Sequence, residues 1–229
     1  MMLTRVLAWC GAALLLASCA SVDPRFEKGQ AAYGGGSYEE ARLLWREAAT
    51  DGDADSAHAL GRLYAQGQGV QPDPQAAAEW YRRAADEGHA QAQFDLGELY
   101  DGGRGLARDY EQAARFYAKA ADQGLSQAQN NLGRMYKAGE GVPRSYADAA
   151  RWFARAARQG HPAAQNSLGL MYITGHGVPQ DAREAYFWIT LACRGAPKAK
   201  ENLAFVRTLL SEQQRTEIDR RVAAWRAER

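Results

Sequence analysis

The stretch Leu96-Gly97-Glu98-Leu99-Tyr100-Asp101-Gly102-Gly103-Arg104-Gly105 decides how the chain is read. Leu96-Gly97 recurs as Leu60-Gly61, Leu132-Gly133 and Leu168-Gly169, always at the same spacing of 36 residues. Tyr64, Tyr136 and Tyr172 keep phase with Tyr100, and Gly67/Gly69, Gly139/Gly141 and Gly175/Gly177 keep phase with Gly103/Gly105. Further along the period come Trp80, Phe116, Trp152 and Trp188, then Ala84, Ala120, Ala156 and Ala192. A fixed period of this length is the mark of a repeat architecture.

The flanking residues say what one unit is. Ser37, Asp73, Asp109, Ser145 and Asp181 share one phase, and all are good helix N-caps. Pro74 follows Asp73 at the first helical position. Glu40, Gln112 and Glu184 stand three residues after their caps, so reciprocal capping boxes are expected there. A helix B therefore starts at each cap and ends before Gly52, Gly88, Gly124 or Gly160. In the last unit Gly195 arrives one residue early, and an altered end is expected. A helix A precedes each Gly-x-Gly loop, spanning 54–66 in the second unit. Gly61 and its equivalents sit inside it at a cost of about 0.5–1 kcal/mol against alanine. That cost implies close helix contact, expected against the small Ala77, Ala113, Ala149 and Ala185. The aromatic row at Trp80 is expected in the core.

With these residues in place, the chain resembles the Sel1-like repeat, a relative of the tetratricopeptide repeat, over residues 54–197 in four units. Residues 25–53 look like a shortened first unit with the tight loop Gly34-Gly35-Gly36. The resemblance implies an all-α, right-handed α-solenoid of helical hairpins with helix A lining the concave face. Residues 198–229 read as a C-terminal capping helix pair. Leu203, Val206 and Leu210 serve the first helix, Ser211 with Gln214 caps the second, and Ile218, Val222 and Trp225 give it an apolar stripe.

Residues 1–18 differ in composition. Arg5 precedes a twelve-residue apolar run, Val6 to Ala17, shorter than the about 20 residues needed to span a membrane. It fits the core of a secretory signal peptide. Leu16-Ala17-Ser18-Cys19 resembles a bacterial lipobox, which implies cleavage before Cys19 and a lipid on its sulfur. Ala20 follows, where an Asp would resemble an inner-membrane retention signal, so an outer-membrane anchor facing the periplasm is expected, with 19–24 as linker. The alternative is an ordinary cut after Ala20 and a soluble periplasmic protein.

Composition narrows the function. With 28 basic and 27 acidic residues the net charge is +1, which argues against a nucleic-acid binder. Cys10, Cys19 and Cys193 are too few for a disulfide framework or thiolate cage. His58, His89, His161 and His176 lack metal spacing, and Asp51/Asp53/Asp55 open a calcium-like loop that Ser56 and Arg62 then break. No metal, no cofactor and no catalytic set is nominated. What remains is the concave groove. Transferring the tetratricopeptide positions gives His58, Arg62, Phe94, Glu98, Asn130, Arg134, Lys137 and Asn166, which differ between units while the scaffold repeats. Arg134 and Lys137 with two amides suit an acidic or C-terminal peptide, or a polyanionic glycan, and peptidoglycan stands as a further candidate partner. The expected function is a non-enzymatic protein-interaction scaffold, tethered to the membrane, in envelope assembly, secretion or host interaction. The alternatives are a β-lactam-binding or hydrolysing enzyme, as in cysteine-rich relatives, and a peptidoglycan-proximal spacer.

Overall fold

The computed structural model describes residues 22–226. Cys10, Cys19 and the signal segment lie outside them. The described chain is helical throughout, with no strand. The first hairpin is α1 (Pro24–Gly34) and α2 (Tyr38–Thr50). Four further hairpins follow: α3 (Ala54–Gln66) with α4 (Pro74–Asp86), α5 (Ala90–Gly102) with α6 (Tyr110–Asp122), α7 (Ser126–Ala138) with α8 (Tyr146–Arg158), and α9 (Pro162–Thr174) with α10 (Ala182–Ala192). Each helix packs on its hairpin partner and then on the next helix in the chain, so the units stack into an α-solenoid.

The caps sit where the residue types place them. Asp73, Asp109, Ser145 and Asp181 each accept a backbone N–H from the first turn of helix B. The N–H of these caps in turn donates to the carbonyl of Tyr64, Tyr100, Tyr136 or Tyr172 at 2.9–3.1 Å, which closes the A–B loop in each of the four later hairpins. Ser37 makes no side-chain capping bond. The reciprocal boxes expected at Glu40, Gln112 and Glu184 do not form. The Glu184 carboxylate instead holds Arg221 of the C-terminal cap, a stronger charge-assisted partner.

The Gly-x-Gly loop has two distinct uses. Gly139 adopts φ 80°, the left-handed C-cap of α7. Gly141 lies against the carbonyl of Tyr110 at the start of the preceding helix B, where an added Cβ would sit 2.0 Å from that oxygen. The first glycine ends the helix and the second seats the loop on its neighbour.

Helix-internal glycines allow a close approach, and what each meets first is a large side chain; the expected alanine is met at Gly169, where a Cβ would lie 3.2 Å from the Ala185 carbonyl oxygen. A Cβ on Gly97 would lie 2.8 Å from the ring of Tyr117; the equivalents meet Tyr81, Phe153 and Ile189. These large side chains, one position after the Trp80 row, fill the core, and Tyr117 is fully buried. The Trp80 row splits: Phe116 and Trp188 are buried, whereas Trp80 and Trp152 are only half-buried beneath Arg83 and Arg155. In the shortened first hairpin, Trp45 covers Gly29 in the same way.

Buried glutamines join the units. Gln93, Gln129 and Gln165 each donate from Nε2 to the carbonyl of Ala85, Ala121 or Ala157 at 3.1 Å, linking a helix A to the end of the preceding helix B. Gln123 and Gln159 complete the ladder by donating to Gln93 and Gln129 at 2.8 and 2.9 Å.

The last hairpin is closed by α11 (Ala199–Arg207) and α12 (Glu212–Ala224). Ser211 and Gln214 form a complete capping box. Val206, Leu210, Ile218 and Val222 are buried in one cluster with α10. α10 ends early, at Ala192, and continues as an irregular turn through Gly195. No helix of the described residues is long and apolar enough to cross a membrane.

Candidate functional site

The A helices carry the unit-specific residues side by side. The period places His58, Phe94, Asn130 and Asn166 in one row and Arg62, Glu98 and Arg134 in the next. Arg62, Arg134 and Lys137 are exposed; the other five are partly covered. The structure brings neighbouring rows into contact across unit boundaries, and most contacts use carboxylates that the sequence reading omits.

Between α3 and α5, His58 Nε2 lies 2.8 Å from Asp95 Oδ2. Asp95 also accepts Gln91 Nε2 at 3.0 Å. The His58 ring stacks on His89 with centroids 4.5 Å apart. His89 is the N-cap of α5: its Nδ1 accepts the Ala92 N–H at 3.0 Å, while Nε2 faces Asp55 at 3.2 Å. An accepting Nδ1 requires the neutral ring. Burial and the neighbouring His58 lower the His89 pKa, and Asp55 opposes them. His161 caps α9 in the same way, through Nδ1 to the Ala164 N–H at 3.2 Å, and burial lowers its pKa. Two of the four histidines are therefore helix caps.

Beside this pair lies a cavity of about 190 Å³ lined by Ala65, Pro74, Tyr81, Asp95, Glu98 and Arg104, among others. Burial raises the Glu98 pKa, Asp95 and Asp101 add to the rise, and Arg104 reduces it. Phe94 packs on Tyr117, centroids 5.7 Å apart, and gives the face an apolar floor.

Between α5 and α7, Arg134 Nη2 meets Asp101 Oδ2 at 2.5 Å, and Arg134 Nη1 meets Glu140 at 3.3 Å. Arg134 is thus already neutralised within the protein. Lys137 makes no ion pair among the described residues, so it carries the free positive charge expected of the two. Asp101 occupies in its unit the position of Lys137 in the next, which was the signal in the sequence for this charge reversal. Asn130 is paired weakly with Asn131 at 3.4 Å. Asn166 accepts Asn202 Nδ2 of α11 at 2.8 Å and serves the cap as well as the surface.

Burial raises the pKa of the half-buried Cys193 thiol, the opposite of what an activated thiolate needs. Asp53 caps α3, Asp51 pairs with Arg25 at 2.6 Å, and Asp55 faces His89, so the three aspartates diverge. Among the described residues, no three His, Cys, Asp or Glu side chains converge on one metal position.

The Sel1 repeat family model matches residues 26–53, 54–89, 90–125, 126–161 and 162–196. A Sel1 repeat protein from Oxalobacter formigenes is similar in structure, with a TM-score of 0.76 and 27% identity, over 89% of this chain and 86% of that one. A protective antigen of uropathogenic Escherichia coli strains with the same type of fold has a TM-score of 0.57 and 28% identity, over 89% of this chain and 53% of that one. No curated protein sequence matches significantly.

Proposed function

Because the chain belongs to the Sel1 repeat family, a family of stacked helical hairpins that mediates protein–protein interaction, we propose that it is a non-enzymatic adaptor whose A-helix face holds a partner polypeptide. One observation carries this reading. Residues that build the hairpins repeat, while the pair set by the two rows differs in each of the four later units: His58 with Arg62, Phe94 with Glu98, Asn130 with Arg134 and Asn166 with Leu170. A surface whose residue pair differs at each step on a constant frame can read a sequence of different side chains. Its exposed cations, its carboxylates and the apolar Phe94 suit a polar segment with an occasional apolar anchor.

We further propose that the adaptor is tethered by lipid at Cys19 to the outer membrane and works in the periplasm, in envelope assembly, secretion or host contact. The lipobox behind a short apolar run supports this. A lipid at Cys19 holds the adaptor at the membrane and raises its local concentration for partners there.

The experiment joins both parts. Photo-crosslinkers at Arg62 and Lys137, in cells expressing the full chain, should trap one reproducible partner from the membrane fraction. The same probe at Glu79, on the exposed side of α4, should not trap it. Cys19→Ser should leave the protein unprocessed or soluble. Trapping that does not depend on the face probed would remove the docking assignment. A Cys19→Ser protein processed and membrane-bound like the wild type would remove the anchor.

A further inference from the structure

The exposed side of the B helices also varies, in a different way. In successive units a cation lies over an aromatic ring: Arg83 over Trp80 at 4.6 Å, Lys119 over Phe116 at 5.2 Å and Arg155 over Trp152 at 4.6 Å. The residues on either side of this pair change sign along the solenoid. They are Glu79 and Asp86 in α4, Arg115 and Asp122 in α6, and Arg151 and Arg158 in α8. Positive charge thus peaks on one helix of a chain whose net charge is only +1.

On α8 these groups surround a recess of about 390 Å³ lined by Arg151, Trp152, Ala154, Arg155, Arg158 and, from α6, Asp122. Arg151 is paired with Asp148 but is 78% exposed. Arg155 reaches Asp122 only at 3.9 Å, with both side chains more than half exposed. Such pairs contribute little and exchange readily for a better acceptor. The Arg158 side chain, exposed at the end of α8, makes no hydrogen bond or ion pair among the described residues. Stacking on Trp152 holds the Arg155 guanidinium in place, so less freedom is lost when it binds.

We propose that this recess is a second docking site, for an acidic segment of a partner protein, independent of the A-helix face. Arg151 and Arg158 are seven residues apart on the helix, about 10 Å along its axis. Two carboxylates three residues apart on a segment in the polyproline II conformation, which has three residues per turn, share one face and lie about 9 Å apart. Each guanidinium fork can take one carboxylate through two parallel hydrogen bonds. The ring of Trp152, tied on its inner side to the α6–α7 core, offers an apolar wall for the residues between. Trp and Arg together at a recess are the usual make-up of an interface hot spot. Because Trp152 is recessed under Arg155 and cannot project, it is unsuited to insertion into lipid. Asp122 and Asp148 at the rim repel a continuous polyanion such as nucleic acid.

The test uses the mature protein and two synthetic decapeptides, one with glutamates three residues apart in a Ser/Gly chain, the other with glutamines in their place. Binding is followed by the shift of the Trp152 indole N–H resonance. The glutamate peptide should bind and its twin should not. Arg151→Gln with Arg158→Gln should weaken binding by about tenfold or more at unchanged melting temperature. Lys137→Ala should leave it unaltered. Arg155→Lys, which keeps the charge and loses the fork, should also weaken it. Equal binding of both peptides, no effect of the arginine changes, or no binding at all overturns the proposal. So does sedimentation with phosphatidylglycerol vesicles that the double variant abolishes while neither peptide binds, which would make the recess a lipid contact.

Discussion

The ring of Tyr117 lies so close over Gly97 that a Cβ on the glycine would sit 2.8 Å from two of its carbons. Tyr117 is fully buried, and its hydroxyl is 3.4 Å from Asp101, so the ring has nowhere to go. Helix propensity alone favours Gly97→Ala by about 0.5–1 kcal/mol. Overpacking typically costs about 1–3 kcal/mol. The steric cost wins, and Gly97→Ala should lower the denaturation midpoint. A midpoint at or above wild type would contradict the contact.

How much of this was legible follows from what a period can and cannot encode. The hairpins, caps and loops were readable because Leu96, Gly97, Tyr100, Gly103 and Asp109 each recur in phase. The period does not say which of two adjacent helix positions faces inward. Trp152 and Phe153 both repeat, yet Phe153 is buried and Trp152 is half-exposed. The alanines at 149, 150, 156 and 157 mark the buried stripe on α8 and would have selected Phe153. The glutamine ladder also repeats but is polar, and sequence rules place such residues outside. On the A-helix face, the pairing of Arg134 with Asp101 joins residues 33 positions apart, which only the stacking of units reveals.

Gln129 supplies a sharp test of that ladder. Gln129→Glu keeps an acceptor for Gln159 but sets a buried carboxylate against the Ala121 carbonyl in place of a donor. It should cost at least about 2 kcal/mol at neutral pH. Burial raises the folded-state pKa of the new acid, so the penalty shrinks as pH falls and the acid can donate again. Chemical denaturation of variant and wild type at pH 7.5 and pH 5 gives the difference directly. A pH-independent difference would place residue 129 in contact with water.

Stability of the wild type should itself fall in mild acid. Burial lowers the His161 pKa below the usual 6.5, and both burial and His58 lower that of His89. The unfolded chain therefore takes up protons first as pH drops through about 6.5. Stability is fully present above that pH and declines until the folded-state pKa is passed. The mechanism is local: a protonated Nδ1 cannot accept the Ala164 N–H. Asn is a strong N-cap that does not titrate. His161→Asn should match the wild type at pH 7.5 and exceed it at pH 5, with a shallower slope of midpoint against pH. An unchanged slope would remove His161 from the account.

Recognition on the A-helix face should divide unequally between two neighbouring cations. Arg134 and Lys137 lie three residues apart, and residues at that spacing share a helix face. Arg134 is committed to Asp101 at 2.5 Å and Glu140 at 3.3 Å, whereas Lys137 is exposed and has no ion-pair partner among the described residues. For an acidic partner segment, Lys137→Ala removes the available charge and should lower affinity with a smaller dependence on salt. Arg134→Ala does something different. It uncovers the Asp101 and Glu140 carboxylates, so the face becomes more negative and repels the same segment. Hydrogen bonds to charged groups contribute roughly 1.5–3 kcal/mol each. The double change should therefore weaken binding by about tenfold or more. Folding should scarcely respond, because the Arg134 side chain is 47% exposed and such bridges are worth at most about 1 kcal/mol. The measurement is the affinity of the partner trapped on this face, for each single variant and the double, at two salt concentrations. Affinity that rises in Arg134→Ala would show that the partner segment is basic and reads the carboxylates. Affinity unchanged in all three would move docking off α7 to the His58 and Glu98 end of the face.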